Sequence, residues 1–343
     1  MKTTLQKLLK LLLPLLFGCG IVWFISKDVD VEAVVAVVSQ GLHWGWVWVS
    51  LVFALLSHVL RGLRWRLQLR TLGVNPSAHD MALSVFGNYG LNLVLPRLGE
   101  LWRCNYVAQR TGLSFVKTVG SMIGERAVDM LCAGTMAVAA FLLESDLFFR
   151  FFDNTGDFGD KVFRMATSPW LWSGVALLIA LFLALRFVRR GRKVIDVVKG
   201  FVSRLWQGVM SLRSLPSPAA YVWYSIAIWA AYYLNSYTSL FFLDCTSHLS
   251  PLAGLFIFVV GSLSLLVPVQ GGLGAWHAAV IWALGCYGIG GVEAFSFVMV
   301  SWAIEQGFVL LLGLYALLYV SLRRRQAADS PKETQCASIE EAN

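Results

Sequence analysis

The sequence predicts an all-α polytopic membrane protein. It holds about six full transmembrane helices plus two proline-broken re-entrant hairpins, set in two inverted repeats; eight transmembrane helices are the alternative. Three observations carry that prediction. Of 343 residues, 57% are hydrophobic and only 14% charged, with mean hydropathy +0.67, whereas soluble domains carry about 25% charged residues. Apolar segments recur at the length of about 20 residues that crosses a bilayer as a helix. Two further apolar segments are interrupted, at Pro96 and at Pro268.

The spans follow in order. Lys2, Lys7 and Lys10 stand at the head of the first, Leu8–Ile25, and Arg61, Arg64, Arg66 and Arg70 follow the second, Trp44–Leu60. Met81–Pro96 dips into the membrane and returns through Arg110. Thr118–Leu143 then crosses outward to the loop Glu144–Ser168, where five acids face three bases. Pro169–Val188 comes back to a loop that holds Arg186, Arg189, Arg190, Arg192, Lys193, Lys199, Arg204 and Arg213. Tyr221–Leu243 exits. Leu252–Pro268 and Ala275–Ile289 form the second dip, and Ala294–Val320 returns to Arg323–Arg325. Every basic cluster then lies inside, which is the positive-inside asymmetry of a bacterial inner membrane protein with cytoplasmic termini.

Each half reads span, span, broken hairpin, span: about 1–143 and about 169–320. The halves start on opposite sides, so the hairpins enter from opposite faces, a build that recurs in secondary transporters. Residues 1–325 form one integral membrane domain, and 326–343 are expected to be a disordered cytoplasmic tail. The +8 formal charge is spread over four loop ends, which argues against nucleic acid. The six cysteines show no paired spacing and read as small apolar residues. Leu16-Phe17-Gly18-Cys19 is read as part of an uncleaved first helix, and Trp44, Trp46 and Trp48 as an interfacial belt.

Chemistry concentrates in Asn92–Arg103. Arg97, Glu100 and Arg103 are spaced three apart, which on a helix sets them along one face. Pro96 removes a backbone donor and ends the incoming half-helix. The next half-helix begins near Arg97, and its free N–H groups favour an anion. Arg97 and Arg103 suit bidentate phosphate recognition; Glu100 orients them or titrates. The alternative is a structural salt-bridge ladder that binds nothing.

Glu125, Arg126 and Asp129 lie in another apolar stretch, so three acids and three arginines stand near membrane depth with formal sum zero. Each costs about 2.5–3.5 kcal/mol to insert unless paired or facing water. Arg126 and Asp129 can pair at i, i+3, which leaves Glu125 to meet Arg97 or Arg103. On that contact, exchanging Glu125 with Arg103 should restore folding lost in either single variant. Asn88 and Asn92, with Gly87 and Gly90, make a thin polar face on the incoming half-helix, the glycines serving close packing.

The second break is Pro268-Val269-Gln270-Gly271-Gly272-Leu273-Gly274, a backbone able to turn tightly or approach a ligand. No Gly-Lys-Ser/Thr follows, so it is not a Walker loop. His277 reads as a packed membrane histidine. Glu305, mid-span with no sequence-local partner, reads as a proton or ligand site. No metal site is expected, since the five histidines lack ligand spacing; no cofactor and no nucleophile elbow is legible.

On Asn92-x-x-Leu95-Pro96-x-x-Gly99-Glu100-x-x-Arg103, Thr111-Gly112 and Glu125-Arg126-x-x-Asp129, the chain resembles the lysylphosphatidylglycerol synthase transmembrane-region family, also called flippase-like or YbhN-like. Pro268-x-x-Gly271-Gly272-x-Gly274 is a second, shorter match. The family is similar to the membrane half of the bacterial multiple peptide resistance factor, which moves aminoacylated phosphatidylglycerol between leaflets. Relatives often carry Arg-Glu where this chain has Trp276-His277, and an arginine early in the last helix where it has Trp302 and Glu305. The residues after Arg325 hold no soluble aminoacyl-transfer domain, so lysyl transfer is not expected from this polypeptide.

The resemblance implies a lipid flippase that moves or binds an anionic phospholipid or polyprenyl-phosphate carrier. Asn92, Pro96, Arg97, Gly99, Glu100, Arg103, Glu125, Arg126, Asp129, Pro268, Gly271, Gly272, Gly274 and Glu305 are its candidate ligand-binding residues. A scaffold for a cell-envelope enzyme partner, a homo-oligomer, or a lipid-modifying enzyme are the other readings.

Overall fold

A computed structural model describes residues 19–24, 26–27, 30–39, 41–94, 97–144, 212–265 and 269–329, with single positions at 200, 203, 206 and 210. The start of the first span, the acidic loop beyond Glu144, Pro169–Val188, most of the following basic loop, Pro96, Pro268 and residues 330–343 lie outside them. The described residues form helices α1 (Val31–Ser39), α2 (Trp44–Arg70), α3 (Ala78–Val94), α4 (Leu98–Thr111), α5 (Phe115–Leu143), α6 (Pro218–Ser239), α7 (Asp244–Ser247), α8 (Pro251–Ser264), α9 (Ala275–Gly285) and α10 (Gly291–Asp329). Single 3-10 turns sit at Leu240–Phe242 and Gln270–Gly272. No strand occurs among the described residues, so the fold is all-α and polytopic.

Local chemistry starts these helices. Ser114 accepts from the Lys117 N–H at the head of α5. Ser217-Pro218 and Ser250-Pro251 open α6 and α8, each serine accepting a backbone N–H behind a first-turn proline. Gly112, at φ 72°, closes α4.

Among the described residues, three helices are both long and apolar enough to cross a membrane: α2, α5 and the Gly291–Arg323 part of α10. The 22 residues of α6 span about 33 Å, and its polar face turns toward α2. The hairpin helices are shorter. α3 and α4 have 17 and 14 residues, α8 and α9 have 14 and 11; these are about 17–26 Å long against a hydrocarbon core of about 30 Å.

Packing repeats between the halves. α3 packs on α4 and α8 on α9; α2 on α3 and α6 on α8; α4 on α5 and α9 on α10; α3 on α10 and α8 on α5. The α2–α6 pair joins the two sets. At the α3–α10 crossing Gly90 and Gly313 face each other, and a Cβ on Gly90 would stand 2.6 Å from Gly313 Cα. Gly87 leaves room for the Trp102 ring. The glycines thus serve close packing, as the sequence pattern suggested.

Of three apolar cores among the described residues, two are larger. One gathers Leu240, Phe242, Phe256, Val280, Leu284 and Phe297; the other gathers Trp65, Leu69, Met81, Cys104, Tyr106 and Met122. Trp44, Trp46 and Trp48 are exposed on α2, Trp46 stacking on Phe241 at 4.7 Å.

Several boundaries differ from expectation. α2 does not stop at Leu60 but runs on to Arg70, because Arg61 and Arg64 turn inward to acids on α5 rather than outward to water. They are therefore not loop charges. α1 lies in a stretch for which no element was expected, and it packs on α10. α10 continues to Asp329, so 326–329 belong to the helix and not to a disordered tail.

Candidate functional site

A buried charge cluster joins α2, α4, α5 and α6. On α2 the residues Arg61, Arg64, Trp65 and Gln68 follow helical spacing, so all four lie on one face; each is buried. On α5, Ser121, Glu125 and Asp129 repeat every fourth residue and are buried opposite them. Arg61 Nη1 is 2.8 Å from Asp129 Oδ2 and 3.3 Å from Glu125 Oε1. Arg64 Nη2 is 2.6 Å from Asp129 Oδ1 and 3.4 Å from Glu125 Oε1. Arg103, on α4, brings Nη2 to 3.2 Å from Glu125 Oε2, and its guanidinium lies 4.1 Å over the Trp65 ring.

Neutral donors and acceptors complete the shell. α6 contributes Tyr232, whose hydroxyl accepts from Arg61 Nε at 2.9 Å, and Ser225, whose hydroxyl accepts from Arg64 Nη1 at 3.1 Å. Trp65 Nε1 donates to Ser121 Oγ, and Gln68 Nε2 to the Ser121 carbonyl. Toward the surface, Arg126 reaches Glu100 at 3.2 Å and Asp129 at 3.7 Å. Both residues of the Arg126–Glu100 pair remain partly exposed.

Among the described residues, four arginines (Arg61, Arg64, Arg103, Arg126) meet three acids (Glu100, Glu125, Asp129), so one positive charge is left over. Arg64 Nε, Arg103 Nε, Arg126 Nε and both side-chain polar atoms of Asn88 have no hydrogen-bond partner among the described residues. Buried donors without partners cost free energy that a ligand acceptor would recover. Excess positive charge with free planar donors fits an anion.

The sequence-predicted residues separate into groups. Arg103, Glu125, Arg126, Asp129 and Glu100 come together, including the Arg103–Glu125 and Arg126–Asp129 contacts. Arg97 does not join them. It precedes the first turn of α4 with φ 66° and is exposed, so the three-apart face begins only at Glu100. Asn92 Oδ1 accepts the Gly99 N–H at 2.9 Å, and a Cβ on Gly99 would strike the Asn88 carbonyl; both tie the hairpin arms. Gly271, Gly272 and Gly274 have φ of 56°, 70° and 79°, which only glycine adopts readily.

Gly271 also meets the first hairpin, since a Cβ there would touch Leu93 and Gln306. Its carbonyl accepts from Trp302 Nε1 at 2.8 Å. His277 is buried against Trp302, with neither ring nitrogen hydrogen-bonded among the described residues. Glu305 stands apart from the arginines, beside Asn235.

Arg61, Arg64, Ser225 and Tyr232 were missed by sequence reasoning, although Arg61-x-x-Arg64-Trp65-x-x-Gln68 continues the helical phase of the second span. They extend a polar seam. On α2 it runs through Ser50, Ser57, His58, Arg61, Arg64 and Gln68, all buried. From Ser50 to Gln68 the seam covers about 27 Å of helix, close to the thickness of the hydrocarbon core. α6 supplies the facing groups Ser225, Tyr232 and Asn235, the last accepting from Ser50 Oγ at 2.7 Å.

The family model for the lysylphosphatidylglycerol synthase TM region matches residues 11–313. The chain belongs to that family. The match takes in both hairpins, the charge cluster and the α2–α6 seam of this lysylphosphatidylglycerol synthase TM-region protein. No curated protein and no solved structure matches the chain.

Proposed function

We propose that this lysylphosphatidylglycerol synthase TM-region protein moves an anionic lipid, a phospholipid or a polyprenyl-phosphate carrier, between leaflets of the bacterial inner membrane. The observation that carries the reading is the buried cluster with one arginine in excess, set in a polar seam about as long as the hydrocarbon core is thick. Family membership supports a membrane protein that acts on lipids. Arg103 and Arg64 are the groups assigned to the phosphate. Arg61, Glu125 and Asp129 fix their geometry, and Arg126 with Glu100 guards the partly exposed edge. Lipid tails stay in the bilayer while the head group follows the seam. The short hairpin helices, paired alike in both halves, support two inverted repeats with broken ends meeting near the midplane. The assignment is transport and not catalysis.

Proteoliposomes carrying a trace of fluorescent phosphatidylglycerol test it. An impermeant reductant added outside bleaches the outer leaflet, and bleaching well past half reports movement. Fluorescent phosphatidylcholine, which has no net charge, is expected to move more slowly. Bleaching that stops at half for phosphatidylglycerol and for a labelled polyprenyl phosphate would overturn the reading.

A further inference from the structure

Glu305 differs from the other membrane-depth acids. Glu125 and Asp129 each meet arginines within 3.5 Å, whereas Glu305 forms no ion pair among the described residues. Among the described residues, its carboxylate Oε2 accepts only from Asn235 Nδ2, at 3.5 Å. The other end of that amide, Oδ1, is held by Ser50 Oγ at 2.7 Å, which turns Nδ2 toward Glu305. The chain Ser50–Asn235–Glu305 therefore places the acid at one end of the α2–α6 seam, with the arginine cluster further along it.

Ionisable groups also stand on the neighbouring helices. On elements packed against α10 they are Glu32 of α1, His58, Arg61, Arg64, Arg66 and Arg70 of α2, His79, Asp80 and Tyr89 of α3, and His277 of α9; Tyr232 lies on α6. Arg61 is engaged by Asp129, Glu125 and Tyr232. Asp80 is engaged by Tyr106, Arg110 and Arg323. His58 lies against the Tyr89 ring and His277 against the Trp302 ring, both tilted. On α10 itself, Glu293 and Arg323 are about 18 and 27 Å along the helix from Glu305. Glu305 is partly buried and stands where the Ser50–Asn235 pair ends the polar face between α2 and α6.

We propose that Glu305 binds and releases a proton in step with lipid movement, so that a proton gradient biases the lipid between leaflets. The step is the simple equilibrium of a carboxylate and a proton with a carboxylic acid. Asn235 donates to the remaining oxygen in both forms. The coupling rests on the transport reading above; the protonation does not.

Two measurements on the full-length protein separate these. Infrared difference spectra across pH should show the carbonyl stretch of a protonated carboxyl near neutral pH, lost in Glu305→Gln and shifted in Glu305→Asp. Identical spectra for wild type and Glu305→Gln would overturn the proposal. In proteoliposomes with the membrane potential clamped by valinomycin and equal potassium, one pH unit should shift the leaflet ratio of fluorescent phosphatidylglycerol by up to about tenfold for one proton per lipid. Glu305→Gln should be indifferent to the gradient, whatever its own rate. An unbiased wild type, or a Glu305→Gln that still responds, would overturn the coupling. If wild type moves no lipid at all, the transport reading fails while the spectra still decide the proton.

Discussion

Arg61 Nη1 lies 2.8 Å from Asp129 Oδ2, a contact that links the middle of α2 to α5 inside the bundle. Asp129 also holds Arg64. Asp129→Asn should therefore leave two buried guanidiniums with Glu125 as their one remaining acid among the described residues, a loss of about 3–5 kcal/mol for a broken buried pair. The midpoint of thermal unfolding in detergent should fall clearly. An unchanged midpoint would show that the cluster does not hold the fold.

The contact of Arg103 with Glu125 was expected from the sequence, and with it a rescue by charge exchange. The structure changes that expectation. Glu125 also meets Arg61 and Arg64, so an arginine at 125 would face two more arginines in a buried site. The Glu125→Arg/Arg103→Glu double variant should yield no more monodisperse protein than Glu125→Arg alone. Recovery to the wild-type yield would mean that Arg61 and Arg64 are not against Glu125.

Close helix approach gives a separate test away from the charges. Gly90→Ala would push a methyl group onto the Gly313 backbone, and overpacking of this kind costs about 1–3 kcal/mol. Gly45→Ala, with nothing within 4 Å of its added Cβ, is the control. Size-exclusion stability after heating should separate the two. Equal survival would place α3 and α10 further apart than found.

Arg97 and Arg103 should differ in function. Arg97 is exposed before α4, and Arg103 is fully buried against Trp65 and Glu125. Arg97→Ala should keep more of the phosphatidylglycerol movement than Arg103→Ala does. A larger loss at Arg97 would move the anion site to the hairpin tip.

The sequence made the membrane class, the hairpin pairing and the acids of α5 legible, because apolar length and out-of-place charges are local signals. Arg103–Glu125 could be paired because both charges stand in apolar surroundings that demand partners. Arg61 and Arg64 were misread for the opposite reason. They stand beside Arg66 and Arg70, and a run of arginines after an apolar span resembles a cytoplasmic flank. Only the packing of α5 and α6 against that face shows which of them turn inward. Arg97 was misplaced because spacing alone does not tell where a helix begins, and α4 starts one residue later.

The claim that the cluster carries an anionic head group is tested most directly by the bleaching assay with Glu100→Gln and Arg103→Ala beside wild type. Glu100 is partly exposed and pairs only with Arg126 among the described residues, and Arg103 leaves Glu125 still held by Arg61 and Arg64, so both variants should fold. Both should express normally, with phosphatidylglycerol bleaching that stops near the outer-leaflet half. Wild-type bleaching in both variants would contradict that claim.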